Sequence, residues 1–210
     1  GSGEAVLRAL DLTGRRDGTG ALLADGSRRA AETIGRGSIA FAPQVKGLEI
    51  PGYEPRGLQT MALGFAVGAR GADHNRSGAY DVDFSDKVDR RNATLDSVRH
   101  AIDTEDKAAL MDSLILCKFL RRGLEDFYGE GAAMLQAITG WDVTPDELCD
   151  TARRIVATKR QVNLLTGWTL AEDTLPDRFF NSPLPNDPEA SLSRERLQEL
   201  VAEYHRQRGW

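Results

Sequence analysis

Cysteine is scarce in this chain: two residues in 210, Cys117 and Cys149, without a CxxC spacing. Two thiols exclude a disulfide-stapled scaffold, and they exclude a four-thiolate iron–sulfur cluster completed by this chain alone. Long apolar runs are missing as well. None reaches the roughly 20 residues of a membrane span, each being broken by Asp, Lys, Arg or Gly, and no signal-peptide pattern opens the chain, so no membrane partner is expected. Nor is there a basic excess. With 27 Lys and Arg against 32 Asp and Glu, the net charge is −5 and the arginines are interspersed with acids, which removes the clustered basic surface a nucleic-acid partner needs. The remainder has the composition of an ordinary soluble globular protein, 40% hydrophobic and 28% charged, long enough for one domain or one plus part of a second.

Alternation of period two is also absent, and nearly every periodic signal is helical. Helices are expected over 4–12, 20–23 and 28–34, the last capped by Ser27 and stopped by Gly35. Residues 35–57 read as loop because Pro43, Pro51 and Pro55 interrupt them. A helix over 58–69 puts Leu58, Met61, Ala62, Phe65, Ala66 and Ala69 on one face. Residues 71–91 are polar and irregular. Thr94 caps a helix to about Met111, and short helices follow over 118–128 and 132–139. Thr144-Pro145-Asp146-Glu147 is a capping box with proline at N1; the helix it starts carries Leu148, Ala152, Ile155, Val156 and Val162 inward and ends before Gly167. After an extended stretch over 167–187, a last amphipathic helix runs over 193–207. An all-α fold is expected.

Two segments carry the chemistry. Arg70-Gly71-Ala72-Asp73-His74-Asn75-Arg76 offers an imidazole and guanidinium groups, and Asp112-Ser113-Leu114-Ile115-Leu116-Cys117-Lys118-Phe119 offers a carboxylate and a thiol beside apolar residues. Taken singly, these residues have ordinary explanations: an exposed aspartate, a buried cysteine, a loop histidine, a surface arginine. These two segments, with Leu48 to Gly57, Met61 to Ala66 and Asp173-Thr174-Leu175-Pro176-Asp177-Arg178-Phe179, together resemble the tungsten-dependent aldehyde ferredoxin oxidoreductases, in the same order and over nearly the whole chain.

The resemblance is to the C-terminal portion of such enzymes. It implies a multihelical fold with residues 1–45 ending the middle helical domain and 46–210 forming the C-terminal one. It implies that Asp112 accepts the donor edge of a pterin, with Leu116 and Arg76 as further cofactor contacts. Cys117 would be one ligand of a [4Fe–4S] cluster, and His74 would stand near the metal as a hydrogen-bonding or proton-carrying catalytic group. The cofactors implied are a tungsten (or molybdenum) bis-pterin and the cluster, both completed by residues outside this chain. The partners are an N-terminal portion or subunit of the same enzyme and ferredoxin or another electron-transfer subunit, with homodimerisation left open. The activity implied is oxidation of an aldehyde to a carboxylic acid in a cytoplasmic enzyme; the isolated chain is expected to be inactive. One departure stands out: the family motif has glycine where this chain has Ile115, which bears on how closely the backbone approaches the pterin. The competing reading is a helical scaffold or interaction module that keeps the family fold without the cofactors.

His100 and His205 read as solvent-facing and Cys149 as structural. The tract from Arg160 to Arg178 reads as fold-defining first. Tyr53 and Trp168 are candidates for an apolar approach route.

Overall fold

The computed structural model describes residues Gly1–Trp210 and is predominantly helical, as expected. Three helices open the chain: α1 (Gly3–Arg15), α2 (Thr19–Ala24) and α3 (Gly26–Ile34). Ser2 caps α1 by accepting from Ala5 N–H at 3.3 Å. Gly20 lets α2 cross α1, because a Cβ there would lie 2.1 Å from the Leu12 carbonyl oxygen. α1 buries no residue, and Val6, Leu7 and Leu10 remain exposed. Asp25, rather than Ser27, precedes the first residue of α3, while Gly35 ends it as expected.

The stretch read as loop contains a small hairpin, β1 (Gln44–Val45) against β2 (Leu48–Glu49), antiparallel with Gln44 opposite Glu49. Its turn residues Lys46 and Gly47 both have positive φ (53° and 85°), the requirement of a type I′ turn. Two-residue strands carry no readable alternation, so this element left no pattern.

α4 (Gln59–Val67) is the centre of the molecule. All nine of its residues are buried, so it is not the one-faced helix its sequence suggested. Leu58 supplies no side-chain cap; instead Asp83 reaches across and accepts from Thr60 N–H at 3.1 Å and Met61 N–H at 2.8 Å. Burial pushes the Asp83 carboxyl up to about 6 against the opposing pull of those bonds. Around α4 pack the short helices α5 (His74–Ser77) and α6 (Tyr80–Asp83), then α7 (Leu95–Ser113). The polar stretch after Gly71 is therefore folded and largely covered.

Residues Lys118–Arg122 form a single 3-10 turn instead of the start of a helix, and α8 covers Phe127–Thr139. α9 (Pro145–Leu165) begins at the expected capping box, with Thr144 accepting from Glu147 N–H at 3.2 Å. Val162 is exposed, since only Leu148, Ala152, Val156 and Arg160 of α9 are buried. A second small core joins the end of α7 to α8 and α9 through Met111, Phe127, Leu148 and Ala152. The chain closes with α10 (Arg178–Asn181) and α11 (Arg194–Arg208), the latter capped by Ser193.

One ionic knot fastens these elements. The Asp173 side chain is fully buried and meets Lys46 Nζ at 2.7 Å, Arg160 at 3.0 Å and His205 Nε2 at 3.0 Å. Burial works to raise its pKa, but His205, Lys46 and Arg160 outweigh it and hold the carboxyl below its usual range. His205 is thus an inward-facing partner of Asp173, not a solvent-facing histidine. A helical residue among arginines and glutamates gives no hint of a partner 32 positions away. His100 is also partly covered, its side chain 21% exposed.

Candidate functional site

The candidate site forms where the loop after α4 meets the end of α7. Gly71 makes the loop feasible: its φ is +79°, and a Cβ would lie 2.0 Å from the Val45 carbonyl oxygen. The chain then turns into α5, capped by Asp73, whose carboxylate accepts from Asn75 N–H at 3.0 Å. This turn carries His74 and Arg76 toward α7.

The end of α7 is a Schellman motif. Leu116 N–H donates to the Met111 carbonyl at 2.9 Å, and Ile115 N–H to that of Asp112 at 3.3 Å. Such a motif needs its residue outside the helix in the left-handed region, and Ile115 is there with φ +57°. Ile115 thus adopts, with a side chain, a conformation that glycine adopts without strain. A β-branched residue in that region costs roughly 1–2 kcal/mol. The side chain recovers little, being 92% exposed.

This turn sets the three candidate residues of the second segment, Asp112, Leu116 and Cys117, in place. Asp112 faces Arg76, its Oδ2 2.5 Å from the guanidinium, while its Oδ1 lies 2.8 Å from Lys118 Nζ. Each carboxylate oxygen keeps a second lone pair, so the pairing leaves room to accept from a further donor. Leu116 is half-buried against the second core, and Cys117 follows with its thiol exposed. Ile115 and Phe119 project beside it, each 92% exposed, an apolar surface on a segment that also bears a free thiol.

His74 joins the same region by another route. Its imidazole packs on Tyr53 (centroids 5.0 Å apart) and Tyr80 (5.8 Å), which themselves stack at 4.7 Å. No protein group hydrogen-bonds the imidazole, leaving both nitrogens available. Tyr80 carries the guanidinium of Arg121 over its ring at 4.8 Å and accepts from it through the hydroxyl. Arg121 and Arg122 both pair with Asp81, at 2.7 and 2.9 Å. The segment following Cys117 is thereby tied to the rings that hold His74.

Arg76 and Asp112 are thus brought into direct contact, Leu116 and Cys117 belong to the same turn, and His74 joins them through α5, which it shares with Arg76, and through Tyr80 and Arg121. Lys118, Tyr80 and Arg121 escaped the sequence reading. Each acts across 6 to 41 positions in directions no helical period links. Tyr53 and Trp168 share no route: Trp168 lines an open cleft of about 830 Å³ against residues 38–46, and Tyr53 stacks on His74 elsewhere.

The donor set fits part of the implied cofactors. Nowhere do three His, Cys, Asp or Glu side chains converge to hold a metal ion, and the free thiols are Cys117, exposed, and Cys149, half-buried, so a four-thiolate cluster would need ligands from outside this chain. Asp112 retains acceptor capacity for a pterin edge, beside the cations of Arg76 and Lys118.

A family model described as "Aldehyde ferredoxin oxidoreductase, domains 2 & 3" matches residues 1–210. The tungsten-containing aldehyde ferredoxin oxidoreductases of Pyrococcus furiosus and Thermococcus kodakarensis are each 34% identical to the chain, over its whole length and 34% of theirs. The WOR-like subunit of an aliphatic sulfonate oxidoreductase of Pyrococcus furiosus is 27% identical, over the whole chain and 32% of its own length. The chain spans about a third of the length of these relatives. No helix is long and apolar enough to cross a membrane.

Proposed function

The chain belongs to the aldehyde ferredoxin oxidoreductase family, and on that premise we propose that it is the C-terminal helical part of a tungstopterin/[4Fe–4S] oxidoreductase. The complete enzyme would oxidise an aldehyde to a carboxylic acid, drawing the added oxygen from water and passing two electrons to ferredoxin or a similar acceptor. Residues 1–45 would end its middle domain and 46–210 form its C-terminal one. Its remaining part supplies the other three cluster ligands and most of the pterin cradle, and the setting is cytoplasmic.

The observation that carries this reading is the Schellman turn of α7. It presents a cation-flanked carboxylate, Asp112, and an exposed thiol, Cys117, from one short segment whose apolar side chains are left uncovered. When bound, the tungsten–pterin centre and the cluster would supply the redox chemistry. This chain's residues would orient and desolvate. Asp112 would accept the pterin's adjacent N–H donors, Arg76 and Lys118 would hold that carboxylate ionised, and Leu116 would back the contact. Cys117 would give one thiolate to the cluster. His74, held by stacking alone, would donate a hydrogen bond to the substrate oxygen or carry its proton.

Metal and pterin analysis of the complete enzyme tests these roles. Cys117→Ala is expected to lose cluster iron, while Asp112→Ala is expected to lose pterin and tungsten and retain more of its iron. Normal contents in both variants would show that the cofactor roles given to Asp112 and Cys117 are misassigned.

A further inference from the structure

Between α7 and α9, behind Arg76, lies a cavity of about 360 Å³ that the reading above leaves without a task. Glu105 and Ala109 face it from α7 and Val156, Lys159 and Asn163 from α9, spacings that set each group on a single helix face. Three cations line it, Arg70, Arg76 and Lys159, against the one carboxylate of Glu105. One oxygen of that carboxylate is committed elsewhere: Oε2 takes Arg208 at 2.6 Å and the Tyr204 hydroxyl at 2.6 Å. Arg70 turns to Asp73 at 3.2 Å and Arg76 to Asp112. Asn163 spends its amide on the Ala69 carbonyl at 2.7 Å.

Lys159 alone has no partner. Its ammonium makes no hydrogen bond or ion pair, yet it is partly covered. Burial first, then repulsion from Arg76, lower its pKa, with Asp112 and Glu105 acting the other way. A half-buried ammonium without a partner, repelled by the Arg76 guanidinium, is an unfavourable arrangement that a single bound anion would relieve.

We propose that this cavity is an oxyanion site, in which Lys159 binds a phosphate or carboxylate group and Ala109 and Val156 pack against the ligand's apolar part. Two sources share that chemistry: the terminal phosphate of the pterin, or a free anion reaching the cavity from solvent. The first rests on the cofactor reading above and the second does not.

The test uses the complete, cofactor-loaded enzyme with Lys159→Met and Lys159→Arg. Inorganic phosphate binding is measured by titration calorimetry, and pterin content by fluorescence after acid release. A free-anion site predicts phosphate binding to the unaltered enzyme, weakened about tenfold or more in Lys159→Met, the factor expected for one lost charge-assisted bond, and largely restored in Lys159→Arg. A pterin-phosphate site predicts no binding of added phosphate, loss of pterin from Lys159→Met, and its return in Lys159→Arg. Unchanged phosphate affinity together with unchanged pterin content in Lys159→Met would overturn the proposal. Should Lys159→Met fail to fold, acetylation of Lys159 in the unaltered enzyme decides. Protection by phosphate or by the loaded pterin supports the site, and equal labelling with and without both overturns it. Cluster iron follows Cys117 in all cases, so failure here is distinguishable from failure of the cofactor assignment.

Discussion

Two aspartates of this molecule are each held by cations, yet they serve it differently. Asp173 is fully buried and binds Lys46, Arg160 and His205, drawn from the hairpin turn, α9 and α11. Asp112 is 23% exposed and binds Arg76 and Lys118, beside an exposed thiol and two apolar side chains in the open. The donor chemistry is nearly the same. Closure separates them: a carboxylate whose lone pairs are all taken inside the protein can only fasten elements together, whereas one at an open edge keeps capacity for a ligand.

The sharpest way to test this contrast is to alter function at the open edge without touching stability. His74→Asn is expected to leave iron and tungsten contents near normal and to lower turnover roughly 10²- to 10⁴-fold, the span for a lost general acid or base. Turnover within about twofold, with chemistry rate-limiting, would reduce His74 to a packing residue.

At the closed end the converse holds. Asp173→Ala leaves Lys46, Arg160 and His205 without their shared anion, and a loss of roughly 3–5 kcal/mol of stability is expected by denaturant titration. A loss under about 1 kcal/mol would mean that the knot is relaxed in solution.

Asp83 refines the comparison, because it is buried with backbone donors and no cation in direct contact. Its folded pKa, about 6, lies above the ordinary 3.8. The folded state therefore binds more protons between these values, and stability falls as pH rises from about 4 to about 6. Relative to Asp83→Asn, the unaltered protein should lose up to about 3 kcal/mol across that window. Parallel pH profiles for the two proteins would contradict the shift. Asp173 works in the other direction, contributing above its ordinary pKa and losing that contribution only as the medium becomes more acidic.

The smallest effect concerns Ile115. Ile115→Gly relieves a left-handed β-branched residue whose side chain packs on little, and a gain of roughly 1 kcal/mol is expected, seen as a higher melting temperature. A loss instead would show that the exposed isoleucine is covered in the complete enzyme.

Several helix starts were legible because they are fixed locally, although Asp126, the local cap of α8, was missed. Thr144 to Glu147 marked the start of α9, Thr94 that of α7 and Ser193 that of α11, since each bond closes within three or four residues. The candidate residues were legible only as residue types in familiar strings. Their partners were not: Lys118 for Asp112, Tyr80 for His74 and Arg121 for Tyr80 are contacts between elements, with no period to announce them. α4 misled for a related reason. A helix buried on every side presents the same apolar positions as a one-faced helix, and only its neighbours α5, α7 and α11 reveal the difference.

By itself, then, the sequence determined that the chain is helical, where most helices begin, that it offers at most two thiolates and so too few for a four-thiolate cluster, and which family it resembles. These follow from local hydrogen bonding, helical periodicity and residue count. Only the tertiary structure decided which aspartate is sealed and which is open, that His205 turns inward, that Ile115 adopts the backbone conformation of a glycine, and that Lys159 is left without an anion. Those outcomes depend on burial and on distances between segments far apart in the chain, which no local pattern encodes.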